Sequence, residues 1–232
     1  MTDRILAVSA HIGDEVLGCG GTLALHVARG DEVRVLILGE GWTSRTKSLE
    51  KGLEALDIDA FEAQGREALG MLGLESVRFR RLPDNRFDQE PFLEIVKTIE
   101  AEKMLFQPNR VYTNSPFDLG LDERIACRAA VTAFRPQPGD NIFDLIAFEV
   151  PSSTEWNADI GTGKFEPNLF VDIGTTLGTK LAAFERLKTE TRPWPHPRSP
   201  EAIGHHARNR GAAVGLPAAE AFMQMRSVRS QP

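Results

Sequence analysis

Six apolar runs of strand length recur along the chain, at Ile5 to Ala10, Val33 to Gly39, Val77 to Leu82, Arg110 to Thr113, Leu145 to Val150 and Leu169 to Ile173. Helical patterns fall between most of them. The clearest lies in EPFLEIVKTIEAEKMLF, where Phe92, Ile95, Val96 and Ile99 follow the i, i+3, i+4, i+7 spacing of one buried helix face. Strands alternating with helices imply βαβ units, and hence a mostly parallel sheet with helices on both faces. The expected fold is therefore α/β and Rossmann-like. A length of 232 residues suits one large domain, taken here as residues 1–232.

The stretch after about Gly174 carries a helical segment, RPWPHPRS, another helix and GLPAAEAF. No Ser, Gly or Pro linker sets it apart, so it is expected to pack on or extend the sheet. There is no internal repeat.

In parallel sheets of this kind the ligand crevice lies beyond the carboxyl ends of the strands. The segments that follow the first five strands are HIGDE, EGWTSR, PDNRFD, NSPFDLGLDER and PSSTEW, all rich in residues that bind or react. The glycines of GCGGTL, from Gly18, invite a dinucleotide reading, but Leu23 stands where the last glycine of GxGxxG belongs. Their expected role is to let the first helix approach the sheet closely.

Composition removes several other classes. The net charge of −6 comes with no basic cluster, so capture of a nucleic-acid backbone has no footprint. No stretch reaches the ~20 apolar residues of a membrane span, and the N-terminus turns acidic too early for a signal peptide; a cytoplasmic protein is expected. Cys19 and Cys127 form no CxxC pair and are expected to be buried free thiols.

His11 and Asp14, at i and i+3 in the turn after the first strand, can direct an imidazole nitrogen and a carboxylate oxygen at one point. Zinc accepts such donors and a hydrolytic site keeps one position open for water, but a lone His–Asp pair is more often an ordinary hydrogen bond. Asp118, Asp122 and Glu123 form a second acidic cluster in SPFDLGLDERIA. Asp122 and Glu123 there either complement a helix dipole or, across the same sheet edge, let Glu123 supply a third donor.

Seven ordered blocks now stand out: AHIGDEVLGCGGTLA, GEGWTSR, LPDNRFD, VYTNSPFDLGLDERI, FEVPSSTEW, RPWPHPRS and RNRGAAVGLPAAEAF. Together they resemble the LmbE-like, or PIG-L-like, zinc-dependent N-deacetylases over nearly the whole chain. The resemblance implies removal of an acyl group from an N-acylated sugar or sugar conjugate, a Zn2+ cofactor, and assembly into a homo-oligomer in many relatives. It makes His11 and Asp14 metal ligands. Two positions depart from the pattern: Gly13 stands where the general base is expected, and Glu123 where the third ligand histidine is expected. Gly120 also stands where many relatives place a histidine.

The departures have chemical consequences. General acid–base help is worth about 100- to 10,000-fold in rate, and glycine supplies none. A His11, Asp14, Glu123 set still offers three donors, yet its two carboxylates make manganese or magnesium relatively more plausible beside zinc, and leave open that no metal binds. Asp118 and Asp122 are the candidates for a relocated base. Glu15, next to the motif, is expected to cap or pair beneath the site.

By resemblance, Arg45 and Arg66 line the substrate side, where guanidinium groups grip phosphate or carboxylate; surface ion pairs are the alternative. Trp156 either stacks on a sugar ring or belongs to the core. His196, in a proline-stiffened loop, either enters the cleft as an acid or ligand or is structural. His26, His205 and His206 carry no expected role. Two functions follow: a metal-dependent N-deacylase of amino sugars, or an inactive relative that binds a sugar or a partner protein.

Overall fold

The computed structural model describes residues 2–43, 54–141, 144–158 and 163–229. Seven strands are joined in one sheet: β1 (Arg4–Ser9), β2 (Glu32–Gly39), β3 (Val77–Leu82), β4 (Arg110–Asn114), β5 (Asp144–Phe148), β6 (Leu169–Asp172) and β7 (Ala219–Ser227). Among the described residues six α-helices accompany them: α1 (Asp14–Ala28), α2 (Glu54–Met71), α3 (Phe92–Phe106), α4 (Leu121–Ala133), α5 (Leu177–Phe184) and α6 (Pro200–Ala212). The strand order is β3-β2-β1-β4-β5-β7-β6, parallel from β3 to β5, with β7 antiparallel to both neighbours.

β1 shows why the centre of this sheet is sandwiched. RILAVS is apolar at four consecutive positions, as a strand buried on both faces must be. Ile5 and Ala7 turn into the core shared with α1, α2 and α5, whereas Leu6 and Val8 turn into the core shared with α3 and α4. The expected face of α3 is the one that packs there, with Ile95, Val96 and Ile99 buried and Phe92 against them.

Two glycines set how close α1 comes to the sheet. A Cβ on Gly18 would stand 2.2 Å from the Phe148 ring, and one on Gly21 would stand 2.9 Å from Ile173. No side chain fits at either contact. Both cysteines are free and buried, as expected.

β7 was not legible as a strand. AEAFMQMRS is rich in alanine and methionine and lacks clean alternation, so local propensity does not announce it; pairing with β5 and β6 imposes the extended form. Its buried Glu220 accepts the amides of Gly21 (2.9 Å) and Thr22 (2.7 Å) and pairs with Lys180 at 2.6 Å, tying β7 to α1 and α5. The C-terminal stretch thus extends the sheet.

After β1 the chain builds outwards through β2 and β3, then returns to place β4 on the other side of β1. The order reverses between β1 and β4, so the connections leaving these two strands diverge and open a crevice at their carboxyl ends. Among the described residues no helix is long and apolar enough to cross a membrane.

Candidate metal centre

The crevice brings the turn after β1 against the start of α4. His11 sits between carboxylates on both sides: its Nδ1 lies 3.1 Å from Glu123 Oε1, and its Nε2 lies 3.1 Å from both Asp122 Oδ2 and Asp84 Oδ1. Asp14, in the first turn of α1, is fixed through Oδ2, which accepts the His11 amide at 3.1 Å and the Asn114 side-chain amide at 3.0 Å. Asn114 ends β4 and its Oδ1 takes the Ala10 amide at 2.9 Å, so one side chain locks the ends of β1 and β4 together.

Burial and charge set the protonation of this cluster. Burial alone pulls the His11 pKa down, but hydrogen bonds to Asp122, Asp84 and Glu123 outweigh it and leave it well above the usual histidine value. Burial and the Glu123 charge push Asp14 up to about 7, against the opposing pull of His11 and Arg198. Burial would raise Glu123 as well, but its bond to His11 wins and holds it below the usual range. Glu15 lies underneath, accepting Ser9 Oγ and the Gly13 amide at 3.2 Å each, and burial pushes it up to about 8.

A donor set of one imidazole nitrogen and the carboxylates of Asp14 and Glu123 lies within 4.8 Å, compact enough for one cation. Glu123 Oε2 is buried and has no hydrogen-bond partner, a costly state for a carboxylate oxygen that a cation would relieve. The residues present therefore fit a divalent ion. A second group, His11 with Asp84 and Asp122, shares the same imidazole. Carboxylates behind Nε2 orient the ring and make Nδ1 the nitrogen directed at Glu123, the arrangement in which a second carboxylate supports a metal-binding histidine.

The remaining expected residues fall in different places. Asp122 is 1% exposed; it accepts the Phe87 amide at 3.0 Å through one oxygen and His11 through the other. That position supports the imidazole and does not face the cleft. Asp118 is also sealed. Its carboxylate takes Ser153, Thr154 (2.7 Å) and the Gly120 amide (2.9 Å), bracing the loop before α4, and burial pushes it up to about 6. Helix periodicity puts Arg66 on the exposed side of α2, with its guanidinium 4.7 Å above the Phe79 ring and away from the residues that line the cleft. Arg45 lies outside the described residues. Trp156 is 51% exposed and meets the His196 ring edge-on at 5.7 Å, in the turn that contributes Ser153 to the cleft.

The cleft of about 350 Å³ also contains residues that the sequence reading passed over: Asp84, Glu190 and Arg198. Arg198 pairs with Glu190 and donates from Nε to the Pro151 carbonyl at 3.3 Å. Asp84 had a signal, since PDNRFD follows a strand. Arg198 had only its place in PHPRS, two residues from His196, and Glu190 had none, because the loop it occupies follows a helix.

Gly13 is the N-cap of α1 and has φ of +101°, the left-handed region. A Cβ there would point at Leu187 Cδ1 (3.1 Å) and Glu190 Cγ (3.7 Å). The space beside the metal donors where a base would begin is thus bordered by the α5–α6 connection.

A mostly parallel sheet with a compact His–carboxylate cluster at its switch point defines an α/β protein with a candidate metal site. Residues 6–134, more than half of this chain, match the PIG-L family, described as GlcNAc-PI de-N-acetylase, and the chain belongs to that family. Over 202 residues it is 26% identical to 4-oxalmesaconate hydratase of Pseudomonas putida, covering 82% of this chain and 74% of that one. Its fold is similar to 4-carboxy-2-hydroxymuconate hydratase from Pseudomonas putida, with a TM-score of 0.76, 23% identity and coverage of 100% and 99% of the two chains. It is also similar to N,N'-diacetylchitobiose deacetylase from Pyrococcus horikoshii, solved with an inhibitor, with a TM-score of 0.75, 19% identity and coverage of 97% and 84%. The chain is thus similar both to proteins named for deacetylation and to proteins named for hydration.

Proposed function

We propose that this chain binds a divalent cation, zinc by family, through His11, Asp14 and Glu123 and hydrolyses the N-acyl group of an amino sugar or sugar conjugate. The observation that carries the reading is the set of donor atoms from His11, Asp14 and Glu123 within 4.8 Å of one another, with one Glu123 oxygen buried and unpartnered. When bound, a cation there would supply Lewis-acid chemistry, acidifying water and polarising the acyl carbonyl. His11 is held in orientation by Asp122 and Asp84, and Asp14 by Asn114. Arg198 contributes positive charge beside Asp14 and Glu123.

The charge of the cleft is compatible with this substrate class. Among the described residues its lining carries the carboxylates of Asp14, Asp84, Glu123 and Glu190 against one guanidinium, Arg198, and the His11 ring. Asp14 and Glu123 would be taken up by the cation and Glu190 pairs with Arg198, so the loaded cleft carries little net charge and suits a neutral N-acyl sugar.

Gly13 leaves the reaction without the family's base, so turnover is expected about 100- to 10,000-fold below that of a base-equipped site. Incubation of zinc- or manganese-loaded protein with a panel of N-acetylated sugars tests this: slow, metal-dependent acetate release supports it. Absence of acetate from folded, metal-loaded protein overturns it. The second reading, a family member that binds its ligand without turnover, draws on the closed surroundings of Gly13 and takes over in that event.

A further inference from the structure

Beyond the cleft, a second groove of about 400 Å³ runs between the turn at residues 151–156, the loop at residues 192–198 and α6. Its wall is Trp194, Pro195 and Pro197, and its far side is His205 and Asn209 on α6. Trp194 is 55% exposed and stands edge-on to the His205 ring, at 5.6 Å and 88°. The His205 contact holds the indole at the groove with much of its surface open to solvent. The floor is rigid: Glu149 accepts His206 Nε2 at 2.9 Å through Oε1, and Arg210 through both oxygens, at 2.8 and 2.6 Å. Glu155 stands at the rim.

We propose that this groove is a saccharide-binding subsite separate from the metal centre, with Trp194 as its platform. A pyranose ring has an apolar face of C–H groups and a rim of hydroxyls. The groove matches both: an exposed indole and two prolines for the face, and a carboxylate, an amide and an imidazole-guanidinium floor for the hydroxyls. Glu149 and Arg210 offset each other's charge and leave no unpaired ion in the floor, which suits a neutral polar ligand. The volume accommodates a sugar unit with room for a linkage. The loop at residues 192–198 separates groove from cleft, sending Arg198 to the cleft and Trp194, Pro195 and Pro197 to the groove. A sugar conjugate seated here lies beside the metal centre without entering it. The subsite does not depend on the chain being hydrolytically active.

The test is saturation-transfer NMR and calorimetry on the full chain, freed of metal, with N-acetylglucosamine oligosaccharides of one to four units. The inference expects binding that Trp194→Ala weakens at least tenfold, that Trp194→Phe largely keeps, and that His11→Ala leaves within twofold. Trp194 is exposed, so its replacement spares the fold, and a circular dichroism melt checks this. Binding lost equally in His11→Ala, binding indifferent to Trp194→Ala, or no binding at millimolar sugar would each overturn it. So would sedimentation showing that Trp194 is covered in a dimer that Trp194→Ala dissolves.

Discussion

Glu123 Oε1 lies 3.1 Å from His11 Nδ1, joining the first turn of α4 to the turn after β1 across the point where strand order reverses. The partner oxygen, Oε2, has no hydrogen bond. Glu123 therefore spends one oxygen on the imidazole and leaves the other buried beside Gly120 without a partner. Glu123→Gln removes the charge while keeping the shape, and is expected to weaken zinc or manganese binding at least tenfold with little change in far-ultraviolet circular dichroism. Competition with a chromogenic chelator measures it.

Asp122 acts through His11. Asp122→Asn is expected to weaken metal binding about 10- to 100-fold, the usual loss for a residue that supports a metal-binding histidine. Metal affinity unchanged within twofold would show that the ring is oriented without it.

Gly13 is a conformational requirement as well as a missing base. At φ +101°, with Leu187 3.1 Å from any Cβ, Gly13→Ala and Gly13→Asp are each expected to destabilise by about 1–2 kcal/mol. At about 2–4 °C per kcal/mol, calorimetry should show both variants melting lower than the parent protein. Reinstating an acidic residue here thus costs stability before it returns any base, and unchanged melting would mean the turn relaxes.

These expectations show what the sequence did and did not disclose. The six apolar runs, the α3 face and the close-packing glycines follow from local pattern, and the structure bears them out. β7 did not, because its extended form comes from pairing with β5 and β6. At the centre, HIGDE and LDER pointed to the candidate donors, but no spacing rule shows that Asp122 points behind the imidazole or that Asp118 is sealed by Ser153 and Thr154. Arg198 and Glu190 belong to the cleft only through the α5–α6 connection, a tertiary fact with no local signature.

Gly18 offers a test of the packing itself. The Cβ of Gly18→Ala would fall 2.2 Å from the Phe148 ring, so the substitution forces α1 off β5 and is expected to cost about 1–3 kcal/mol. Adding Phe148→Leu should recover part of the loss in urea unfolding. An additive double variant would place the strain elsewhere.

The Glu149 network makes stability depend on pH. Burial alone would raise the Glu149 carboxyl, but His206 and Arg210 more than offset it and hold its pKa below 4.5 in the folded chain. A depressed folded value means the stabilisation is present above the unfolded pKa and is lost as pH falls through the folded one. Between about pH 5 and pH 3, the parent protein should therefore lose stability more steeply than Glu149→Gln in urea titrations. Equal slopes would show that the network contributes nothing there.

The most direct test of the metal centre is elemental analysis of the purified chain, before and after incubation with zinc and removal of the excess, beside the Glu123→Ala variant. The account predicts close to one equivalent of metal retained by the parent protein and little by the variant. No retained metal in the parent, or equal retention in both, would contradict it.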